Sequence, residues 1–160
     1  MSGWLLPGFQ HLQNPHPLVV HFPIAFLYGA ALLYFLAWMG RSETASWTAL
    51  WVLGLGALGA GAAVATGYYA NDGVMVAESV RAALLDRHRH WMVATSIAAG
   101  GLTAWALLAR PMPARGRLVF LAGLLAMLAI LTTGADFGGR LVYDYNAGGD
   151  ACGQPIEFTR

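Results

Sequence analysis

The sequence predicts an all-α integral membrane protein, an antiparallel four-helix bundle with both termini on the outer side. Three observations predict it. Of 160 residues, 58% are hydrophobic and only 11% charged, whereas about a quarter are charged in an ordinary soluble domain. Four apolar stretches, at roughly 18–39, 46–70, 91–109 and 117–135, have no charged residue in their interiors. About 20 residues, at about 1.5 Å each, cross the hydrocarbon core. Backbone in lipid must satisfy its own hydrogen bonds, so these stretches are helices. Finally, all nine basic residues are arginine. The short first and third connections carry Arg41 and Arg110, Arg115 and Arg117, and the tail up to Pro17 carries none. Short, arginine-dense loops stay in the cytoplasm, which puts the termini and the second loop outside. Seven of the eight acids, all but Glu43, share that side, as do Arg81, Arg87, Arg89, Arg140 and Arg160.

Residues 1–17 form an interfacial segment. The run MSGWLLPGFQHLQNP lacks the basic start and long apolar centre of a cleaved signal peptide. Its Trp4, Leu5, Leu6 and Phe9 suit the headgroup layer. Asn14-Pro15-His16-Pro17 stops any earlier helix and starts the first span, with Pro17 tolerated in the first turn. Pro23 removes another early donor and tilts that turn. The second span carries Gly54, Gly56, Gly59 and Gly61; pairs such as Ala57/Gly61 and Gly59/Ala63 let helices approach closely. The third has Ala94, Ala98 and Gly101 on one small face below His90. The bundle covers 18–135, and 136–160 is a Gly-rich outer tail with Asp136, Phe137, Tyr143 and Tyr145. Its glycines argue against continued helix. As a lid it would bring Arg140 or Tyr143 to a haem propionate or a quinone headgroup; the alternative is a partly ordered tail. Cys152 is the one cysteine, so no internal disulfide forms and no c-type haem attaches.

All five histidines, His11, His16, His21, His88 and His90, fall on the outer side. Histidine at membrane depth is costly and marks function. A weak repeat organises the chain. Spans one and three begin with histidine; spans two and four end in Thr66-Gly67 and Thr133-Gly134, followed by Asp72 and Asp136. Neighbouring helices lie about 8–10 Å apart, so diagonal ones lie about 11–14 Å apart. Two inward histidines on spans one and three would then face each other across the width of an iron and two imidazoles, as in a b-type haem site. His21, inside its helix above Ala25 and Gly29, is the expected axial ligand. His90 is its expected partner, with His88 as alternate; two residues apart on a helix, they point differently. Gly67 and Gly134 would leave room for the flat ring. His16, about 7.5 Å further out than His21, would serve a second metal or haem, orient a ligand or cap the helix. Copper or zinc is the chemical rival, since imidazole suits both and Asp72, Glu78 or Asp136 would add a carboxylate. No HExxH or CxxC spacing supports a hydrolytic or structural zinc site. A histidine at a helix mouth is also commonly just a hydrogen-bonded interfacial residue.

The run His16-Pro17-Leu18-Val19-Val20-His21-Phe22-Pro23-Ile24-Ala25 resembles the HPLxVHFPIA opening of a family of small bacterial membrane proteins catalogued as a domain of unknown function. Gly138-Gly139-Arg140-Leu141-Val142-Tyr143, with the later Gly148-Gly149, is similar to its GGxLVY ending. The resemblance covers nearly the whole chain. It implies a multi-pass protein of the bacterial inner membrane, here with both termini out. That family often carries histidine where this chain has Arg140, so a ligand used elsewhere would be missing here. Its members occur beside or fused to cytochrome c-type domains, which implies a redox association.

Two function classes follow. One is a b-type cytochrome-like subunit passing electrons from a membrane quinol to an outer cytochrome c or larger redox complex, with the acidic outer face aiding encounter. The other is a non-redox accessory or scaffold subunit packed through its Gly/Ala faces. Either fits better than a stand-alone enzyme. Transport of metal would need polar residues down a path, and spans two to four are nearly devoid of them below the outer third. Nucleic-acid binding would need a basic surface, and the net charge is +1.

Overall fold

The computed structural model describes residues 15–71, 74, 76–145 and 147. His11, the aromatic N-terminal segment, Asp72, Cys152 and the tail beyond 147 lie outside the described residues. Four helices long and apolar enough to cross a membrane make up the fold: α1 His16–Gly40, α2 Glu43–Ala70, α3 Glu78–Ala109 and α4 Arg117–Tyr143. Many of their largest apolar side chains point outward. Leu58, Ile97, Leu108, Leu118 and Leu125 are each about two-thirds or more exposed, a surface suited to lipid and far beyond the patches a soluble monomer carries.

The helices close a ring. α1 packs on α2, α2 on α3, α3 on α4, and α4, with the slightest contact, on α1. α1 and α3 therefore lie across the bundle from each other. A single spacing rule builds the inside. In α1 the inward positions are His16, Val20, Pro23, Leu27, Ala30, Tyr34 and Ala37; in α3 they are His88, Met92, Thr95, Ala99, Leu102 and Ala106. Corresponding stripes are Ser46, Ala49, Leu53, Gly56, Ala60, Ala63, Gly67 and Ala70 in α2, and Phe120, Leu124, Met127, Leu131, Gly134, Gly138 and Leu141 in α4. All are buried or half-buried. Steps of four and three alternate throughout, a 3.5-residue repeat that keeps one seam facing its neighbours.

Small residues set the approach. A Cβ on Gly56 would lie 2.7 Å from Leu27 Cδ2 and 3.3 Å from Leu27 N, and one on Gly59 would lie 3.3 Å from Pro23 Cδ. Residue numbers thus rise along α1 as they fall along α2. Gly61, Gly100 and Gly101 meet nothing within 4 Å, so not every expected small residue is used for packing. At the end opposite the histidines, Tyr34 and Trp105 both meet Phe120 edge-on, at 4.9 and 5.6 Å, and buried Tyr34 donates to the Pro111 carbonyl at 3.1 Å. The α1–α2 link is two residues long. Arg41, with φ 49°, ends α1, and the Ser42 side chain caps α2 by accepting from Ala45 N at 3.2 Å.

Two boundaries differ from the sequence expectation. α3 begins at Glu78 rather than near 91, so Arg87-His88-Arg89-His90 lies within the helix. Its early part includes a π-helical turn, Arg81–Leu85. Buried Leu84 and Leu85 form a second small core there with Leu141, backed by Phe137 and Val80. α4 also runs on to Tyr143, through Gly134, Gly138 and Gly139. Each glycine costs a helix about 1 kcal/mol, but Gly134 and Gly138 are filled from α3 and act as packing sites rather than breaks.

Gly56→Ala is expected to destabilise the protein by about 1–3 kcal/mol, read as earlier thermal unfolding in detergent. Gly61→Ala, whose Cβ meets open space, is expected to leave stability unchanged or raise it slightly.

Candidate functional site

The histidine end of the bundle holds the candidate site. His16 begins the α1 stripe and His88 begins the α3 stripe, so both rings turn inward. His16 Nδ1 lies 3.1 Å from Thr66 Oγ1 on α2, and the ring also takes a backbone hydrogen bond at Ala63. His88 Nδ1 donates to the Gly134 carbonyl on α4 at 2.8 Å. A carbonyl only accepts, so His88 carries a proton on Nδ1, and in the neutral ring the lone pair is then on Nε2. The two imidazoles are close enough for their charges to act on each other. They come from opposite helices of the bundle.

Each ring rests on a glycine. A Cβ on Gly67 would lie 3.0 Å from His16 Cε1, and one on Gly138 would lie 2.8 Å from His88 Cε1. Any larger residue would push the ring out. Each hairpin therefore seats the histidine of its first helix on a glycine of its second.

The histidines expected as ligands stand elsewhere. His21 is exposed, its Nδ1 bonded to the Pro17 carbonyl four residues back at 2.8 Å. His90 is exposed and bonded likewise to the Asp86 carbonyl at 2.6 Å. Both sit one or two residues off the inward stripe, which turns them away from the bundle axis. The expected clearance beside Gly67 and Gly134 is also taken. His16 covers Gly67, while Met92 and Trp91 press on Gly134, with Trp91 Cβ 2.7 Å from where its own Cβ would be. Arg140 and Tyr143 do not cover the histidines. Arg140 Nε pairs with Asp144 at 3.4 Å, Tyr143 is 89% exposed, and both line an open groove with Asp136 and Gly139 on α4.

Four roles do not follow from the residues alone. Thr66 and Gly138 hold the rings. Arg87 lies over the Phe137 ring of α4, 5.9 Å from its centroid, and Arg89 lies over the Tyr68 ring of α2, at 5.5 Å. Counting back by four and three from Ala106 lands on His88 and not His90, a signal the sequence did contain. Among the described residues, no group of three or more His, Cys, Asp or Glu is placed to hold a metal ion.

The family described as predicted membrane protein (DUF2231) matches residues 13–151. This chain belongs to that family. The match takes in all four helices, both inward histidines and their glycine seats, so the DUF2231 fold and the site are one unit in this chain. No curated protein and no solved structure matches the chain.

¹⁵N NMR of ring-labelled protein at pH 8 is expected to show His88 as the Nδ1–H tautomer. Gly138→Val is expected to abolish that signature by displacing the ring, while the helical content stays intact.

Proposed function

We propose that this DUF2231 protein is an electron-transfer subunit of the bacterial inner membrane that holds a haem b iron between His16 and His88. The observation that carries the reading is the pair itself, two imidazoles from opposite helices on the inward stripes at one end of the bundle. Polar groups there are expensive and are kept for function. His88 is anchored as metal-bound histidines are, with one ring nitrogen donating to a carbonyl and the other presenting its lone pair. His16 is pinned through Thr66 and Ala63 in a similar way.

Donor count favours haem over a bare ion. Zinc or copper asks the protein for three or four ligands, and the described residues gather two. A haem brings four nitrogens of its own and asks for only the axial ones. The fit is of donors and not of clearance, because His16 fills Gly67, Met92 and Trp91 fill Gly134, and His88 fills Gly138. Bound haem would supply one-electron redox chemistry. The chain's part is to fix the two imidazoles, exclude competing ligands and set the surrounding polarity.

In this reading the bundle is antiparallel, the arginine loops at 41 and 110–117 face the cytoplasm, and the histidine end faces outward. A quinol in the bilayer would be the donor, and a cytochrome c or a larger redox complex the outer acceptor. The second reading, a non-redox accessory subunit, draws on the broad exposed apolar surface, including Trp51 at 73% and Leu58 at 74% exposed, which offers wide lateral contact to another membrane protein.

The test is a visible spectrum of detergent-purified protein expressed with added haem precursor, oxidised and dithionite-reduced, with metal analysis of the same sample. A Soret band with α/β bands that sharpen on reduction is expected. His16→Ala and His88→Ala should each abolish the low-spin spectrum, whereas His21→Ala and His90→Ala should keep it. Stoichiometric copper or zinc without a Soret band would replace haem with a bare metal. Neither haem nor metal would leave the accessory reading.

A further inference from the structure

The two ends of the bundle treat their arginines differently. Toward the histidine end, Arg81, Arg89 and Arg140 pair with Glu78, Asp86 and Asp144 at 3.9, 3.2 and 3.4 Å. The other end carries Arg41, Arg110, Arg115 and Arg117 against one acid, exposed Glu43. Contacts place both arginine-bearing connections together there. Tyr34 of α1 reaches the Pro111 carbonyl, and Tyr34 and Trp105 meet at Phe120. Among the described residues, none of these four arginines forms an ion pair.

Arg117 is the most constrained of the four. It opens α4, which is 27 residues long. At about 1.5 Å each they span about 40 Å, against about 30 Å of hydrocarbon, so the first residue stands at headgroup depth. Its Nε is buried and has no hydrogen-bond partner. A buried donor left unmatched within the chain calls for an acceptor from outside it. The same turn offers more donors. The first bond of α4 runs from Phe120 N to the Gly116 carbonyl at 2.9 Å, and no side chain caps the helix. The N–H groups of Arg117, Leu118 and Val119 are therefore left over, at the positive end of the helix dipole. Gly116, with φ 81°, backs onto the Trp105 ring, which fixes the turn. Below it, Leu118, Ala122 and Leu125 line one exposed apolar face of α4 at helical spacing.

We infer that Arg117, with Arg115 and the first turn of α4, binds the phosphate of an anionic phospholipid whose acyl chain lies along Leu118, Ala122 and Leu125. A phosphate oxygen is the acceptor that a guanidinium and a helix N-terminus both suit. Free phosphate would use only the polar half of this surface, whereas a phospholipid uses the apolar track as well. Arg41 and Arg110 add to the positive field that gathers anionic headgroups at this face. The inference is independent of any cofactor at the histidine end.

The experiment measures the association of spin-labelled phosphatidylglycerol and phosphatidylcholine with full-length protein in phosphatidylcholine vesicles, by electron paramagnetic resonance. Wild type is expected to prefer phosphatidylglycerol about fivefold or more, and to keep part of that preference in high salt, because a partly buried pair is screened less than surface charge. Arg117→Gln should remove most of the preference and Arg117→Lys should restore part of it, while Arg41→Gln should change it little. Circular dichroism should show all variants folded. Equal association of the two lipids with wild type would overturn the site. So would a preference undiminished in both Arg117→Gln and an Arg115→Gln/Arg117→Gln double variant, or one lost equally on replacing any of the four arginines, which is the mark of a diffuse field. In detergent, phosphatidylglycerol should raise the unfolding temperature of wild type more than that of Arg117→Gln. Inorganic phosphate raising it as much as the lipid would assign the site to free phosphate and overturn the lipid.

Discussion

Everything in this bundle depends on side chains from one helix seating on glycines of the next. Lipid is as apolar as leucine, so helix association in a membrane gains little from burying hydrocarbon and relies on close packing. The α1–α2 and α3–α4 hairpins solve this alike. Leu27 presses on Gly56, Pro23 on Gly59 and His16 on Gly67 in the first; Met92 and Trp91 press on Gly134 and His88 on Gly138 in the second. The histidines are the last members of two packing series, held by the geometry that holds the leucines below them. Their orientation is therefore a property of the fold and needs no ligand to impose it.

The same series explains why polar chemistry is tolerated there. The rings close the bundle where the seam reaches its histidine end, and Thr66 and the Gly134 carbonyl satisfy their Nδ1 atoms from neighbouring helices. Around the rings lie the aromatic-stacked Arg87 and Arg89 and the small core of Leu84, Leu85 and Leu141. That core ties the start of α3 to the end of α4 and carries α3 well past the apolar stretch that announces it.

The four helices were legible because length and hydropathy are all that a lipid core demands. The direction of each side chain was harder to read, since helices apolar on every side give no hydrophobic face. His21 looked like the better ligand because it lies deeper, yet depth says nothing about angle. Position 16, not 21, continues the four-three steps through Pro23, Leu27 and Ala30. The end of α4 was misjudged for a related reason. Gly138 and Gly139 look like helix breakers by propensity, but the ring that fills Gly138 sits fifty residues away in the sequence. The Thr66-Gly67 motif, by contrast, was visible as a repeat before its occupant was known.

The uneven closure of the ring gives the molecule the mechanics of a book. α2 against α3 is the spine, and the α1–α4 edge, where contact is slightest, is the opening side. Among the described residues a hydrogen-bonded clasp crosses it, where Thr132 gives its hydrogen to the Leu128 carbonyl and accepts from Tyr28 at 2.5 Å, and Tyr34 meets Phe120 across the same edge. His16 and His88 belong to different pages. Anything that binds both would staple the pages shut, and by linkage its affinity would be added to the stability of the closed form. Opening the edge would in turn part the two rings, so the occupancy of the pair and the separation of the hairpins report on each other.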